Sequence, residues 1–290
     1  MRTFLNRLTA FLCAAAIGAP LVLAACGSEA ASHSSSSSLL DDITQRGVLR
    51  VGIRIDDPPH GFVDGQGKWV GFDVDVANAI SKRLGVRLEL TRVDELTRIS
   101  FIQNGKIDLA MASISKTQKR AAQVDFSETY FFSTQSFLVR KGQIFSLKDL
   151  AGKRVGADRG SSASANWQGF LKAHSYPDTG DIVLYGDKHA AVDAVKQGVI
   201  AGWAEDYEIL ASFAKNEPSL AVLNEPGGIG LKLDGIAMRK NDSTLMLRVN
   251  LALQDIAATG EYRTIYDRWF GPDSATPVPL QGGIEVWPHG

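Results

Sequence analysis

Strand-like and helix-like segments alternate along the chain, and this alternation constrains the fold more than any other feature of the sequence. An apolar run over residues 48–53 predicts a strand. A helical stripe follows, with an apolar side chain at every fourth position: Phe72, Val76, Ile80 and Leu84. Gly85 ends that helix, and residues 86–90 then alternate apolar and charged side chains as a half-buried strand does. The alternation predicts an α/β protein whose parallel sheets are covered by helices.

The same pattern restarts after residue 139. Segments that read alternately as strand and helix cover residues 153–157, 160–171, 182–185, 190–196 and 199–204. Both halves contain a helix that ends at a glycine and leads into a strand, at residues 101–107 and again at residues 194–200. Two closing helices are predicted near residues 245–257 and 261–269.

A polar segment follows the strand predicted at residues 107–112. It places hydroxyl groups at Ser113, Ser115 and Thr117, and a guanidinium at Arg120. Hydroxyl oxygens, open backbone N–H groups and a fork of donors that fits a carboxylate are what a free α-amino acid requires. Ligands of open α/β sheets bind at this carboxyl end of the strands. Taken alone, a capped turn with a solvated arginine explains the segment equally well.

Three segments, in the expected order, resemble the bacterial extracellular solute-binding proteins of family 3, the polar amino-acid receptors of ABC importers. They are residues 71–80, 101–130 and 265–271. The resemblance extends over roughly residues 41–272, and the pattern is most similar to that of glutamate/aspartate-binding receptors. It implies a protein that closes on an amino acid and delivers it to a permease, with no enzymatic reaction, cofactor or metal ion.

The resemblance also implies the topology, a two-lobed periplasmic-binding-protein-like fold of type II. Lobe 1 would comprise residues 41–138 plus 232–272, and lobe 2 residues 139–231. Two crossing strands, near residues 135–139 and 228–233, would form a hinge between the two parallel-type sheets. A chain that crosses twice can bend around a ligand without unravelling either sheet.

The N-terminal residues 1–25 resemble a lipoprotein signal peptide, with two arginines, no acid and then an apolar run. Small residues precede Cys26 as in a lipobox, in which this cysteine is lipidated; the alternative is an ordinary cleavage site before a chance cysteine. The serine-rich residues 26–40 read as a flexible tether, and residues 273–290 as a C-terminal tail. We therefore expect an extracytoplasmic protein that a lipid anchors to a bacterial membrane.

Composition argues against several other classes of function. Cys13 lies within the predicted signal peptide, so the chain after Cys26 has no cysteine for a disulfide or a metal-thiolate site. The histidines are scattered without the spacing of metal ligands. A formal net charge of −1 is not that of a nucleic-acid-binding protein. We expect a monomer.

The family pattern assigns ligand contacts residue by residue. Arg120 would bind the α-carboxylate together with the backbone N–H of Ser115, and Ser162 would add an N–H from the other lobe at a helix start. Asp206 matches the acid that receives the α-ammonium, although it could instead cap the following helix. Ser113 would add its carbonyl, and Ser115 its hydroxyl.

Arg54 and Arg98 would decide which ligand side chain is accepted. Arg54 ends the first strand, and Arg98 matches an arginine typical of glutamate/aspartate receptors, which also carry an aromatic residue where Trp203 stands. Either arginine alone is more often a solvated surface residue. Two arginines aimed at one cleft favour an anionic ligand, because their charges would otherwise be buried without partners. The sequence therefore predicts glutamate or aspartate, with glutamine or another polar amino acid as the alternative.

Some residues depart from the family pattern. His60 stands where the family has an aromatic residue that packs on the ligand, and Phe62 is the candidate substitute. Asp158 would repel an anionic ligand if it faced inward, and Lys188 or His189 is expected to offset it.

Two other functions are alternatives to transport. A prephenate/arogenate dehydratase with the same fold would need a general acid. Glu205 is the candidate, and strand alternation is expected to face it away from the Asp206 side of the cleft. The other alternative is a sensor that presents its ligand to a membrane partner.

Overall fold

The computed structural model describes residues 38–178, 182–274, 276–278 and 284. Its strands are β1 (Val48–Ile53), β2 (Asp56–Asp57), β3 (Gly61–Val63), β4 (Trp69–Val70), β5 (Arg87–Arg92), β6 (Leu109–Met111), β7 (Asp125–Arg140), β8 (Gly156–Asp158), β9 (Val183–Tyr185), β10 (Gly202–Asp206), β11 (Leu220–Val222) and β12 (Gly230–Met238). Its helices are α1 (Leu39–Arg46), α2 (Phe72–Leu84), α3 (Arg98–Gln103), α4 (Gln118–Ala121), α5 (Ala163–Ala173), α6 (Lys188–Gln197), α7 (Tyr207–Lys215), α8 (Ser243–Ala258) and α9 (Glu261–Phe270).

Helix α2 shows how the sequence pattern becomes local structure. It covers Phe72–Leu84, as predicted, and ends at Gly85 in the left-handed conformation with φ 68°. Acidic residues occupy its first turn and basic residues its last: Asp73, Asp75, Lys82 and Arg83. These charges complement the helix dipole, while the apolar stripe packs into the core beside β1.

The first half of the main sheet follows the order β5-β1-β6-β12. Strand β1 is parallel to β5 and β6, whereas β12 runs antiparallel to β6. Alternate residues face two cores, so Leu109 packs with Phe72 and Phe270, while Ala110 packs with Ile102 and Ile107 on the other face. We call this part of the molecule lobe 1.

The second half of the sheet follows the order β7-β10-β8-β9, and β11 pairs with the free part of β7. Strand β8 is parallel to β10 and β9, and β10 is antiparallel to β7. Phe137 packs with Trp167 in one core, and the next residue, Leu138, packs with Trp203 in another. We call this part lobe 2, and its construction repeats that of lobe 1 with different residues.

Strands β7 and β12 connect the two lobes. They pair antiparallel from Gln135 with Gly230 to Asp125 with Met238, with register shifts next to Gly235. The predicted hinge segments are therefore parts of longer strands that join both sheets into one hydrogen-bonded path. The two-lobed α/β architecture is confirmed, whereas the lobe boundaries at 138/139 and 231/232 stay predictions.

Several elements begin later than the sequence pattern predicts. The helix expected from about Glu95 begins at Arg98, because the Asp94 carboxylate accepts hydrogen bonds from the backbone N–H groups of Leu96 and Thr97 and holds them in a turn. Of the strand expected at residues 107–112, only Leu109–Met111 form β6, and these are the residues that pair with β1. Apolar content marks where a segment is buried, but ladder partners decide where a strand begins.

The two ends of the described chain differ from their predicted roles. Ser38, within the predicted tether, caps α1 through a hydrogen bond from the backbone N–H of Asp41. Val278 and Ile284, within the predicted tail, are buried against the core of lobe 1. The signal peptide and Cys26 lie outside the described residues. In the described part of the chain no helix has the length and apolar character needed to cross a membrane.

Candidate functional site

All of the predicted ligand-binding residues line one small cavity between the lobes. They are Arg54, Arg98, Ser113, Ser115, Arg120, Ser162 and Asp206, and the lining also includes Glu95, Gln135, Ser161 and Glu205. The side chains leave a space of about 10 Å³ between them, which is room for about one water molecule. The cavity is therefore closed by polar side chains from both lobes.

Arg120 reaches from lobe 1 to lobe 2. Thr117 caps the short helix α4 and so turns Arg120 toward the cavity. One guanidinium nitrogen donates to the Ser115 carbonyl at 2.9 Å, and another donates to the Gly160 carbonyl at 3.0 Å. Burial and then the charge of Arg98 lower the pKa of Arg120 to about 10. A guanidinium held only by neutral carbonyls keeps its charge available for a carboxylate.

Arg98 is held in a similar way. Its Nη1 donates to the carbonyls of Ala112 at 2.6 Å and Ser113 at 3.2 Å. Its Nε is buried and has no hydrogen-bond partner among the described residues. Burial, followed by the charge of Arg54, lowers the pKa of Arg98 to about 10. Its hydrogen bonds within the described residues therefore go to backbone carbonyls and not to a carboxylate.

Arg54 differs from the other two arginines, because carboxylates surround it. Its Nε donates to the Asp56 carboxylate at 3.1 Å, and its Nη1 lies 3.8 Å from Asp57 and forms an ion pair with Glu95. Burial opposes the charge, but Asp57 and Asp56 outweigh it and raise the pKa of Arg54 above its ordinary value. The premise that Arg54 needs an anionic ligand is therefore wrong, since lobe 1 supplies its counter-charges.

Three serines line the cavity, two from lobe 1 and one from lobe 2. Ser113 adopts φ 48°, and its hydroxyl donates to Asp57 at 2.5 Å. The hydroxyls of Ser115 in lobe 1 and Ser162 in lobe 2 lie 3.4 Å apart. Ser162 stands at the N-cap of α5 but makes no side-chain capping bond, and it accepts a hydrogen bond from Gln135 at 3.2 Å instead.

Asp206 lies at the end of β10 and is fully buried in the site. It occupies the N-cap position of α7, but its side chain makes no capping bond. Gln135 donates to it at 2.9 Å, and Lys232 forms an ion pair with it. Burial and the nearby acids Glu205 and Glu208 raise the pKa of Asp206 to about 7, against the opposing effect of Lys232.

The sequence gives no functional role to Gln135, Lys232 or Asp234. Gln135 also accepts from Asn166 at 2.7 Å, so its amide orients Asp206 and α5 together. The ammonium of Lys232 lies 2.9 Å from Asp234 as well as contacting Asp206. The sequence feature that indicates a role for these residues is the presence of a lysine and an aspartate two positions apart in an otherwise apolar segment. Charged side chains are rarely buried unless they are paired.

Asp158 is neutralised by Lys188 and not by His189. The Lys188 ammonium lies 2.6 Å from Asp158, 3.3 Å from Asp57 and 3.4 Å from Glu205. The Trp203 indole N–H donates to Asp158 at 2.9 Å, and the Trp203 ring packs in the core of lobe 2. Asp158 is thus part of an ion-pair cluster beside the cavity, and Trp203 supports that cluster.

The expected aromatic wall is absent from the lining of the cavity. His60 is buried, with its Nε2 2.9 Å from Glu208 and its Nδ1 3.6 Å from Asp73. Burial opposes its charge, but the adjacent carboxylates of Asp73 and Glu208 outweigh it and raise the pKa of His60 to about 10. Phe62 does not take its place, because it packs against Trp269 with ring centroids 5.7 Å apart.

The expectation for Glu205 is wrong. Glu205 and Asp206 both line the cavity, and the backbone N–H of Asp206 donates to the Glu205 carboxylate at 3.1 Å. Strand alternation fails here because β10 ends at Asp206, where the chain turns into α7. Within the described residues, no group of three or more His, Cys, Asp or Glu side chains is arranged to hold a metal ion.

Comparison with known proteins identifies the family. Residues 49–272 match the bacterial extracellular solute-binding proteins, family 3. The protein belongs to this family. It is 31% identical over 267 residues to the ABC transporter glutamine-binding protein GlnH of Bacillus subtilis (strain 168), covering 89% of this chain and 95% of that one. It is 28% identical over 243 residues to the L-cystine-binding protein TcyJ of Escherichia coli (strain K12), covering 82% and 88%.

A solved structure shares the fold of this protein. It is an ancestral arginine-binding protein bound to glutamine, with 36% sequence identity and a TM-score of 0.70. The similarity covers 78% of this chain and 99% of that one. The predicted resemblance and the two-lobed α/β fold are therefore confirmed.

Proposed function

We propose that this protein is the extracytoplasmic substrate-binding component of an amino-acid ABC importer, and that its ligand has an uncharged polar side chain such as that of glutamine. Arg120 would bind the α-carboxylate and Asp206 the α-ammonium, while Arg98 and the Arg54–Glu95 pair would contact the side chain. The space between the lobes is far smaller than an amino acid, so the lobes would separate to admit the ligand and then enclose it.

The charge balance of the cavity lining carries this proposal. The lining holds three arginines, Arg54, Arg98 and Arg120, and three carboxylates, Glu95, Glu205 and Asp206. Lys188 and Lys232 also contact Glu205 and Asp206, but each of these lysines has a further carboxylate partner outside the lining, Asp158 for Lys188 and Asp234 for Lys232. A zwitterionic amino acid with a neutral side chain adds no net charge to such a site. An acidic ligand would leave one negative charge in excess, which is expensive in a buried cavity.

The acidic ligand predicted from the sequence has less support. That prediction needed two buried arginines without counter-charges, and only Arg98 meets the condition, because Arg54 contacts three carboxylates. Relatives are named for glutamine, L-cystine and arginine, and the part of each of these ligands beyond the α-carbon carries no net negative charge. A neutral ligand is therefore the better supported reading.

Titration calorimetry of the purified full-length protein with glutamine, glutamate and arginine tests the proposal. We expect glutamine to bind at least roughly tenfold more tightly than glutamate, a difference of ~1.4 kcal/mol. If glutamate or arginine binds most tightly, the proposal of an uncharged ligand side chain is wrong, whereas the proposal of an amino-acid receptor still holds. Absence of binding to these and the other common amino acids would overturn the receptor.

Glu205 favours a second candidate, a dehydratase. Burial raises the pKa of this cavity-lining carboxyl, followed by the charges of Asp158 and Asp57, as a general acid requires. Its contact with Lys188 at 3.4 Å opposes that role, because the ammonium favours the ionised carboxylate. Incubation with prephenate and arogenate decides the matter, and we expect no turnover.

The anchor is a further part of the proposal. We infer that Cys26 carries lipid and holds the protein at a bacterial membrane, where a monomer would meet the permease. Mass spectrometry of the N-terminus of the native protein should find a lipidated cysteine. An unmodified Cys26, or a chain that begins elsewhere, would contradict the anchor.

A further inference from the structure

Glu95 is a cavity residue to which the family pattern assigns no role in this sequence. It lies between β5 and α3, within the turn that Asp94 organises. Its side chain is 11% exposed, lines the cavity, and forms an ion pair with Nη1 of Arg54. A largely buried carboxylate that contacts a cation reduces the net positive charge of the cavity that a ligand enters.

The other two acids that contact Arg54 do not line the cavity. The Asp56 side chain is 47% exposed, so water screens its charge. Asp57 is fully buried, but its carboxylate is shared with the Ser113 hydroxyl at 2.5 Å and Lys188 at 3.3 Å. Among the carboxylates that contact Arg54, Glu95 is therefore the one that a ligand in the cavity would also meet.

The contacts of the polar segment that follows β6 place this pair at the side-chain end of the site. Arg120 donates to the Ser115 carbonyl at 2.9 Å, and Arg98 donates to the Ser113 carbonyl at 3.2 Å. The Ser113 hydroxyl donates to Asp57 at 2.5 Å, and Asp57 lies 3.8 Å from Nη1 of Arg54. Arg98 is therefore connected to the Arg54–Glu95 pair through Ser113 and Asp57, two residues along the chain from the carbonyl that holds Arg120. A ligand held by Arg120 extends its side chain toward Arg98 and this pair.

We propose that Glu95 determines the charge of the accepted side chain, by neutralising Arg54 so that an uncharged ligand is preferred over an acidic one. This inference rests on the proposed receptor function. Without Glu95 the lining would hold three cations against Glu205 and Asp206, and the excess positive charge would match a second carboxylate on the ligand.

The variant Glu95→Gln tests the inference, because it removes the charge and keeps the size of the side chain. Competition titrations with glutamine and glutamate measure the ratio of the two dissociation constants. We expect the ratio to shift toward glutamate by roughly tenfold or more relative to the wild-type protein. An unchanged ratio would overturn the inference.

Asp56→Asn is the matched control, since it removes the exposed carboxylate that contacts the same guanidinium. Its ratio should stay within about threefold of the wild-type value, as expected for a screened surface pair. A shift as large as that of Glu95→Gln would show that any neighbour of Arg54 changes the preference, which contradicts a specific role for Glu95.

Arg54→Gln gives an independent test of opposite sign, and it also serves if Glu95→Gln does not fold. It leaves Glu95 in the lining without its cation, so arginine should gain on glutamine by roughly tenfold or more. No gain for arginine in a folded Arg54→Gln protein would overturn the inference. The proposed function fails separately, if the wild-type protein prefers glutamate or binds no amino acid.

Discussion

Two groups of buried cations differ in what holds them. Arg98 and Arg120 donate to backbone carbonyls, whereas Arg54 and Lys188 contact carboxylates. A carbonyl dipole satisfies a donor but does not cancel a charge, so no carboxylate among the described residues contacts the first group in the place where a ligand would bind. The second group is neutralised by the protein itself. The comparison shows that the charge of a site follows from the partners of its arginines and not from their number.

The comparison predicts a separation of two effects. A cation held by carbonyls should matter mainly for ligand binding, because its counter-charge arrives with the ligand. A cation held by carboxylates should matter mainly for the stability of the unliganded fold, because its removal leaves acids buried without a partner.

Arg120→Ala should have the largest effect on binding. It leaves the ligand's carboxylate buried without its cation, which costs about 3 kcal/mol or more, at least roughly a hundredfold in affinity. Titration calorimetry with glutamine measures this loss. Arg159→Ala, which removes an exposed arginine whose guanidinium donates to the Leu184 carbonyl, should bind normally. Near-normal affinity of Arg120→Ala would show that the carbonyl-held cations do not serve the ligand.

Lys188→Met should have the largest effect on the unliganded fold. It leaves three carboxylates without their shared ammonium, and breaking such a buried pair costs ~3 kcal/mol or more. Urea unfolding without ligand measures the loss, which should exceed that of Arg120→Ala. Lys196→Met on the same helix removes a half-exposed pair with Glu217 and should cost at most about 1 kcal/mol. Equal losses for Lys188→Met and Arg120→Ala would break the comparison.

His60 extends the carboxylate-held group to a titrating side chain. Its pKa rises from 6.5 to about 10 in the fold, so the stabilisation is complete below pH 6.5 and is lost as the pH rises toward 10. Between pH 6 and pH 8.5 the wild-type protein should lose roughly 2 kcal/mol more stability than His60→Gln, measured by urea unfolding. The matched variant His189→Gln, whose histidine is exposed, should keep the wild-type pH dependence. A similar slope in His60→Gln and the wild type would contradict the pairing of His60 with Glu208 and Asp73.

Gly160→Ala tests the carbonyl that holds Arg120, and its expected effect is the smallest. Gly160 has φ 85°, and an added Cβ would lie 3.1 Å from Cβ of Glu95 and 3.2 Å from Leu96 in the other lobe. We expect a loss of roughly 1 kcal/mol in ligand affinity, or about fivefold, because the lobes could not approach as closely. Gly169→Ala, a helical glycine with no atom within 4 Å of an added Cβ, should bind normally. Unchanged binding by Gly160→Ala would show that this contact does not limit closure.

Much of the fold could be predicted because its signals are local. The stripe and caps of α2 lie within a few residues of one another, and the structure forms that helix with the predicted bounds. The exact start of α3 was missed because hydrogen bonds to the Asp94 side chain decide it. The predicted ligand-binding residues line one cavity, because the ends of several strands meet there.

The errors in the site have a common cause. The sequence pattern predicts Arg54 without counter-charges and assigns no role to Lys232. Each of these side chains is paired with one that is remote in sequence, Glu95 for Arg54 and Asp206 for Lys232. Periodicity reports which face of an element is buried, but it does not report which charges meet on that face.

The sequence by itself determined the α/β class, the family and the set of polar residues at the cleft, because periodicity, caps and motifs are properties of neighbouring residues. Only the tertiary structure decided which cations remain uncompensated. Arg54 and Arg98 are the same chemical group on the same lobe, yet one meets carboxylates and the other carbonyls. Electrostatic energy depends on the distance between charges in space, and chain folding alone sets that distance.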